Sequence, residues 1–461
     1  MRRRTFLASA AGGFAAFAGC LSTGEEQAGD DTPTGPPETP TETPPPSETP
    51  TPGPGLTRTP TDPGGSPTDP GGSPTASPGD SETPTPKERI GYDIPTATGE
   101  PSQPGDIDSA WPLPASDAGF TNRTAVPGPT DPVAELWSVE AGTGLSEPVL
   151  ADGTVYVAGR DGTVLTLDGR DGTEQWRRSV GDLAAAPSVV GGRVFVATGD
   201  GLVALAASDG SVQWRVETPE RADFVDPAGR LVDAAVMVHE GGIYTVAGED
   251  SPAVVRRSLA DGSEDWRTEI AEPWALPIFA SGEGEVFVSS GPHDTRFWQL
   301  DAATGDLLAE EPRYGHDFPT EAFYADGSVY TVEPFFGSAG RTPLDEGTGW
   351  TTDVPPGGEL ADGDGRVYYA TSADDAGVFA LSKTDGAIDW EVEPPGDVVG
   401  RPVAASDVVV VPTDAGLYGV APSDGSDRWL RPGDATGEDA LAADDLVFST
   451  REGAVRAFRA P

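Results

Sequence analysis

One cysteine, two lysines, two methionines and three histidines are all that 461 residues hold of those types. With Cys20 alone, no disulfide can form within the chain, so packing must hold the fold together. Lys87 and Lys383 stand against 76 acidic residues, and the net charge is −47. A surface of that sign repels phosphates and argues against nucleic-acid binding. The charge also strains a compact fold by self-repulsion in dilute buffer. At about 1 M salt the Debye length falls to ~3 Å and most of that repulsion vanishes. The composition therefore reads as adaptation to concentrated salt. His239, His293 and His316 are far apart and show no metal-ligand spacing. No Gly-x-Ser-x-Gly elbow and no phosphate-binding Gly-Lys-Ser/Thr loop occurs. Asp362-Gly363-Asp364-Gly365 suggests a calcium loop but lacks its bidentate Glu, and a plain turn is expected there.

What the chain has in plenty is Gly (60) and Pro (47), which favour turns and short strands over helices. The N-terminus is the first ordered motif. Arg3-Arg4-x-Phe6-Leu7 resembles the twin-arginine export signal, and an apolar run follows from Ala8 to Ala18. That run is too short to span ~30 Å of hydrocarbon, so a cleaved signal is expected. It ends Phe17-Ala18-Gly19-Cys20, which resembles a lipobox, with Phe17 where Leu is usual. The resemblance implies cleavage before Cys20 and a lipid thioether on its sulfur. The implied location is the outer face of the cytoplasmic membrane, reached already folded. Together with the acidic surface, the segment is similar to exported lipoproteins of halophilic archaea.

The chain divides into residues 1–19 as signal, 20–107 as lipidated cysteine and disordered stalk, 108–132 as a lead-in, and 133–461 as a repeat domain. Residues 21–86 are Thr, Pro, Glu, Ser and Gly with a tandem TDPGGSP, and they cannot bury enough apolar surface to offset chain entropy. Extended like polyproline, they would reach on the order of 200 Å at ~3.1 Å per residue. Asn122-Arg123-Thr124 is a sequon, so Asn122 is expected as a possible glycosylation site.

From about residue 133 a strand pattern recurs eight times, from Val155-Tyr156-Val157 to Leu446-Val447-Phe448, with a mean period near 42. A second series keeps the same phase. Asp171-Gly172-x-x-x-Trp176 returns at Trp214, Trp266, Trp390 and Trp429. Trp350 comes one residue early, and Ala309 stands where a tryptophan is missing. Each Asp-Gly is a hairpin signal, since glycine enters φ > 0 freely. Four strands per unit, repeated radially, predict an all-β, eight-bladed β-propeller. The lone strand around Trp137 precedes the first unit, and the last unit lacks its tryptophan strand. The first strand is expected to complete the last blade, giving a closed and monomeric ring.

The unit resembles the tryptophan-docked repeat of pyrroloquinoline-quinone (PQQ) dehydrogenases, Ala-x-Asp-x-x-Thr-Gly-x-x-x-Trp. Leu167-Asp168 through Trp176 and Leu300-Asp301-x-x-Thr304-Gly305 fit it best. Non-enzymatic relatives, including BamB-type assembly lipoproteins, use the same repeat. The resemblance implies that Trp137, Trp176, Trp214, Trp266, Trp350, Trp390 and Trp429 dock between blades. In the enzymes it also implies a quinone over the central channel, a calcium ion held by carboxylates and an amide, and often a pair of adjacent cysteines. This chain has no cysteine pair and no asparagine in its blades. The expectation is therefore no PQQ, no calcium and no catalysis. The expected function is a scaffold that binds an envelope protein or a surface glycan, the alternative being a quinone-dependent dehydrogenase or redox-associated protein.

Unequal unit lengths point to a binding face. Extra residues fall at 216–233, 248–253, 290–296, 310–319 and 333–341, in connections that emerge on one side of a propeller. They carry Phe224, His293, Tyr314, His316, Phe318, Phe335 and Phe336, and aromatics and histidines on loops above a rigid scaffold suit a binding patch.

Overall fold

The computed structural model describes residues 94–142, 144–181, 185–217, 236–247, 253–270, 275–281, 284–290, 296–312, 321–333, 337–344, 347–372, 377–433, 439–451 and 453–461. Among them are thirty-two strands in eight antiparallel four-stranded sheets, and no helix. Seven blades are continuous in sequence: 149–179, 188–217, 237–269, 275–312, 321–353, 358–392 and 403–432, numbered 1 to 7 from the N-terminus. Blade 8 joins 439–459 to the first strand, Ala134–Glu140, which pairs antiparallel with Ala454–Arg459. The ring is thus closed by the N-terminal strand, and no blade is left with three strands.

Within a blade the strands run from an inner one at the axis to an outer one at the rim. In blades 1, 2, 6 and 7 the second and third strands are buried along nearly their whole length, as in Thr154–Ala158 and Gly416–Val420. Outer strands alternate or face solvent, as in Glu174–Ser179. This gradient follows from β-branched and aromatic residues in the middle strands and charged ones outside. The cores lie between adjacent blades rather than within them. Val149, Tyr156, Trp176, Val194 and Val203, for example, form one core from blades 1 and 2.

The tryptophans sit on outer strands at a β-bulge. Trp176 pairs with Thr166 while Glu174 pairs with Leu167, so Gln175 is the extra residue that twists the strand. The same register shift occurs in blades 2, 3, 4, 6 and 7 and in the closing strand. Blade 5 has no shift, and Trp350 pairs directly with Arg341. Its turn is one residue short, which is why Trp350 comes early in the sequence.

Six of the seven docking indoles donate to a carbonyl of the following blade. Trp137 Nε1 donates to the Gly169 carbonyl at 3.0 Å, Trp176 to Ala207 at 2.8 Å, Trp214 to Leu259 at 3.2 Å and Trp266 to Ala302 at 3.1 Å. Trp350 donates to Lys383 and Trp390 to Pro422, each at 3.0 Å. The ring lies against the next blade's turn glycine. At Gly172 (φ +73°) a Cβ would stand 2.9 Å from the Trp137 ring, so the residue is glycine for its φ and for the indole above it. The residue two after the tryptophan adds a second bond to the same turn. Arg178 Nε gives one to the Gly210 carbonyl, and the hydroxyls of Thr268 and Thr352 give theirs to Gly305 and Gly386.

Candidate functional site

Residues 94–133 form a strap rather than the end of a stalk. Composition assigns 94–107 to the stalk, and this is corrected by Ile94 and Ile107, which are buried in the blade 6/7 and blade 8/1 cores. The Pro95 carbonyl accepts from Leu430 on the outer strand of blade 7, and Arg459 binds Ser102 and Gln103. The strap then turns inward. Ser109 N–H bonds to Asp444 in blade 8, and Trp111 exchanges both backbone bonds with Leu150 in blade 1. The Pro112 carbonyl takes Val189 N–H in blade 2, and Leu113 and Phe120 pack on blades 2 to 5. The carbonyls of Gly119, Thr121 and Asn122 accept from Tyr324, Asp362 and Ala404 of blades 5, 6 and 7.

Blades 1 and 5 face each other across the axis. A segment bonded to Leu150 at Trp111 and to Tyr324 at Gly119 therefore crosses the mouth of the central channel on the side of the inner-strand turns. Four non-glycine residues within it are left-handed: Ala115, Ser116, Phe120 and Asn122, with φ between +52° and +78°. Such backbone is costly unless its surroundings hold it. Here they do: Ala115 N–H bonds to the Glu147 carboxylate at 3.1 Å, and the Ser116 hydroxyl to the Arg123 carbonyl at 2.7 Å.

Asn122 is corrected as a glycan acceptor. It is 3% exposed, and its Nδ2 donates to the Pro402 carbonyl at 2.9 Å, so the atom that would carry a sugar lies inside the strap.

Beside the strap lies an ion cluster that sequence reasoning missed. Asp362, 2% exposed, meets Arg123 at 3.0 Å through one oxygen and Lys383 Nζ at 2.5 Å through the other. Lys383 also reaches Asp326 at 2.6 Å. Burial pulls the Lys383 ammonium down, but Asp362 and Asp326 outweigh it and hold its pKa above the ordinary lysine range. The hydrogen bond from Lys383 holds the Asp326 carboxyl below its ordinary value. Asp117, at the centre of the strap, is pushed up by burial despite bonds from Thr121 and Gly119, with Asp362 adding to the rise. The Asp362–Gly365 stretch is a turn, and its first carboxylate is a structural counter-ion. The signal in the sequence was rarity: Lys383 is the one lysine of the repeat domain.

The opposite side of the ring bears the loops. Outer-to-inner connections and second-to-third connections leave the strands there, as the order Leu307–Pro312 to Glu321–Ala325 and Ser328–Glu333 to Ser338–Pro343 requires. Phe224, His293, Tyr314, His316, Phe318, Phe335 and Phe336 lie outside the described residues, as does Cys20. All seven docking tryptophans are described.

The groups that the repeat's enzymatic relatives would imply are PQQ and calcium. The single asparagine is committed to Pro402, and among the described residues no cluster of three or more His, Cys, Asp or Glu could hold a metal ion. The described residues do not fit a calcium-held quinone.

Fold and docking together define an eight-bladed propeller of the PQQ-like repeat type. The chain belongs to the family described as outer membrane protein assembly factor BamB, whose model matches residues 131–334 and 338–460. It is 27% identical over 318 residues to the outer membrane protein assembly factor BamB of Burkholderia pseudomallei, covering 62% of this chain and 77% of that one. It is also 30% identical over 169 residues to the serine/threonine-protein kinase AfsK of Streptomyces griseus, where the match spans 34% of this chain and only 20% of the kinase. Among solved structures, BamB from Moraxella catarrhalis superposes with a TM-score of 0.53 at 17% identity, over 71% of this chain and 97% of that one. Quinohemoprotein alcohol dehydrogenase from Comamonas testosteroni superposes with 0.58 at 13% identity, over 76% and 81%. At those identities the likeness is one of fold.

Proposed function

We propose that this chain is a lipid-anchored scaffold at the outer face of the cytoplasmic membrane, working in concentrated salt, that holds an envelope protein on the loop-bearing face of its ring. The observation that carries the reading is the strap. One mouth of the channel is occupied by the chain's own residues 109–124, which leaves the loop face and the rim for other molecules. Family membership supports a protein ligand over a glycan, since the relatives are named assembly factors. The absence of a blade asparagine and of a cysteine pair supports a scaffold over a quinone-dependent enzyme. Export through the twin-arginine signal and anchoring through Cys20 rest on the N-terminal motif.

The test is recovery of membrane proteins by the full chain in molar salt. A protein recovered by the parent and lost with Phe335→Ser/Phe336→Ser, at unchanged stability, supports the reading. Unchanged recovery together with a drop in stability would show that these aromatics only pack. A Cys20→Ser protein as firmly membrane-bound as the parent would remove the anchor.

A further inference from the structure

Seven junctions around the ring are closed by an indole, and the junction between blades 4 and 5 is not. Blade 4 keeps the bulge, at Leu308, that elsewhere aims the tryptophan, yet the aimed residue is Ala309. The position two further on, a donor to the next turn in blades 1, 3 and 5, is Glu311. The carbonyl such an indole would meet belongs to Leu344. Its N–H bonds to Gly327, as those of the acceptors Ala207, Ala302 and Lys383 bond to Gly192, Gly284 and Gly365.

The packing has changed to match. The second-strand aromatics Tyr156, Phe195, Tyr244, Tyr330, Tyr368 and Phe448 each lie against their own blade's tryptophan. Phe287 instead stacks on Tyr324 of blade 5, centroids 6.0 Å apart and planes at 11°. Among the described residues that core fully buries only Phe287 and Val329, whereas the core between blades 5 and 6 buries ten residues. Leu307 and Leu308, adjacent on the outer edge, are 50% and 51% exposed.

We infer that the outer strand of blade 4, Leu307–Pro312, is a docking edge for a protein partner that presents an extended, cationic segment carrying a tryptophan. The inference rests on the scaffold reading and names the partner's chemistry. An edge strand offers unpaired backbone groups to an added strand. A residue paired opposite Ala309 would place its Cβ about 5 Å from that of Ala309, within reach of the slot for an indole. At the seven sibling junctions the equivalent position is filled by an indole. In sequence the strand carries Glu310 and Glu311 and no cation, while in blades 1 to 3 the residue after the tryptophan is Arg177, Arg215 or Arg267. In molar salt the charge attraction is screened, so the indole and the two leucines carry the affinity.

The probe is a labelled peptide of residues 173–180, Thr-Glu-Gln-Trp-Arg-Arg-Ser-Val, titrated against the full chain in molar salt. Binding at least tenfold tighter than that of the same peptide with alanine for tryptophan is expected. Ala309→Trp should raise the melting temperature and weaken the peptide at least tenfold. Leu307→Ser/Leu308→Ser, on exposed positions that do not endanger folding, should weaken it too. Equal binding of the two peptides, or binding unaffected by either variant, overturns the docking edge. If the peptide fails while membrane partners are still recovered, the edge is wrong and the scaffold stands. If the parent recovers no partner, the scaffold reading falls whatever the peptide does.

Discussion

The indole Nε1 of Trp429 donates to the carbonyl of Pro129 at 2.7 Å, across 300 residues of sequence. At the other six stapled junctions the acceptor follows the third strand of the next blade. Here the strap supplies it, because blade 8 takes its outer strand from the N-terminal side. The ring is therefore closed twice, by the pairing of Ala134–Glu140 with Ala454–Arg459 and by this one bond.

Trp429→Phe keeps most of the buried area and loses the bond, so it should cost about 1 kcal/mol. Trp429→Ala should cost about 3–5 kcal/mol. Denaturant midpoints in molar salt separate the two, and a Trp429→Phe midpoint equal to the parent's would mean that the bond contributes nothing.

Lys383→Ala leaves Asp362 buried with Arg123 alone, and a loss of about 3–5 kcal/mol is expected. Adding Asp362→Ala should recover part of it. If the two losses simply add to within ~0.5 kcal/mol, the residues are not coupled.

Acid should act in two opposite senses. Asp209, Asp261 and Asp424 are held low by hydrogen bonds from Ser211, Ser263 and Ser426, and Asp385 by one from Ser382. Their folded values lie below the unfolded ones, so their stabilisation is complete above about pH 4 and is lost as pH falls through the folded values. Asp117 is raised, so the folded chain takes up its proton first. Relative to Asp117→Asn, the parent should gain stability as pH falls from neutral toward about 4. Relative to Asp261→Asn it should lose stability in acid below about pH 4. Stability differences that stay flat with pH in both pairs would contradict these assignments.

Asn122→Ala removes the amide that holds Pro402 and should cost about 1–3 kcal/mol. Mass spectrometry of the native protein should find Asn122 unmodified. A glycan on that residue would mean that the strap does not seat as described.

The blades were legible because their signals are local and periodic. The Val-aromatic pairs, the Asp-Gly turns and the tryptophans repeat within about forty residues, and each names its strand. Ala309 and the early Trp350 were visible as breaks in that rhythm, although the missing bulge behind Trp350 needed the register. The strap was not legible. Its bonds run to residues from 30 to more than 300 positions away, its left-handed residues are not glycines, and its Pro-rich composition continues that of the stalk. Asn122 misled for the same reason: a three-residue motif says nothing of the Pro402 carbonyl it meets.

The closing strand also sets an order of events during synthesis. Ala134–Glu140 is made first among the strands, and its partner Ala454–Arg459 is made last. Seven blades can form hairpin by hairpin as the chain lengthens, but the eighth must wait for both ends. Joining ends some 300 residues apart costs only about 5 kcal/mol by 1.5RT ln n, so closure is late rather than difficult. Until then the growing disc carries a bare blade face at each end and one unpaired edge. A machine that moves the chain before that moment handles an aggregation-prone open ring, and one that moves it afterwards handles a sealed one.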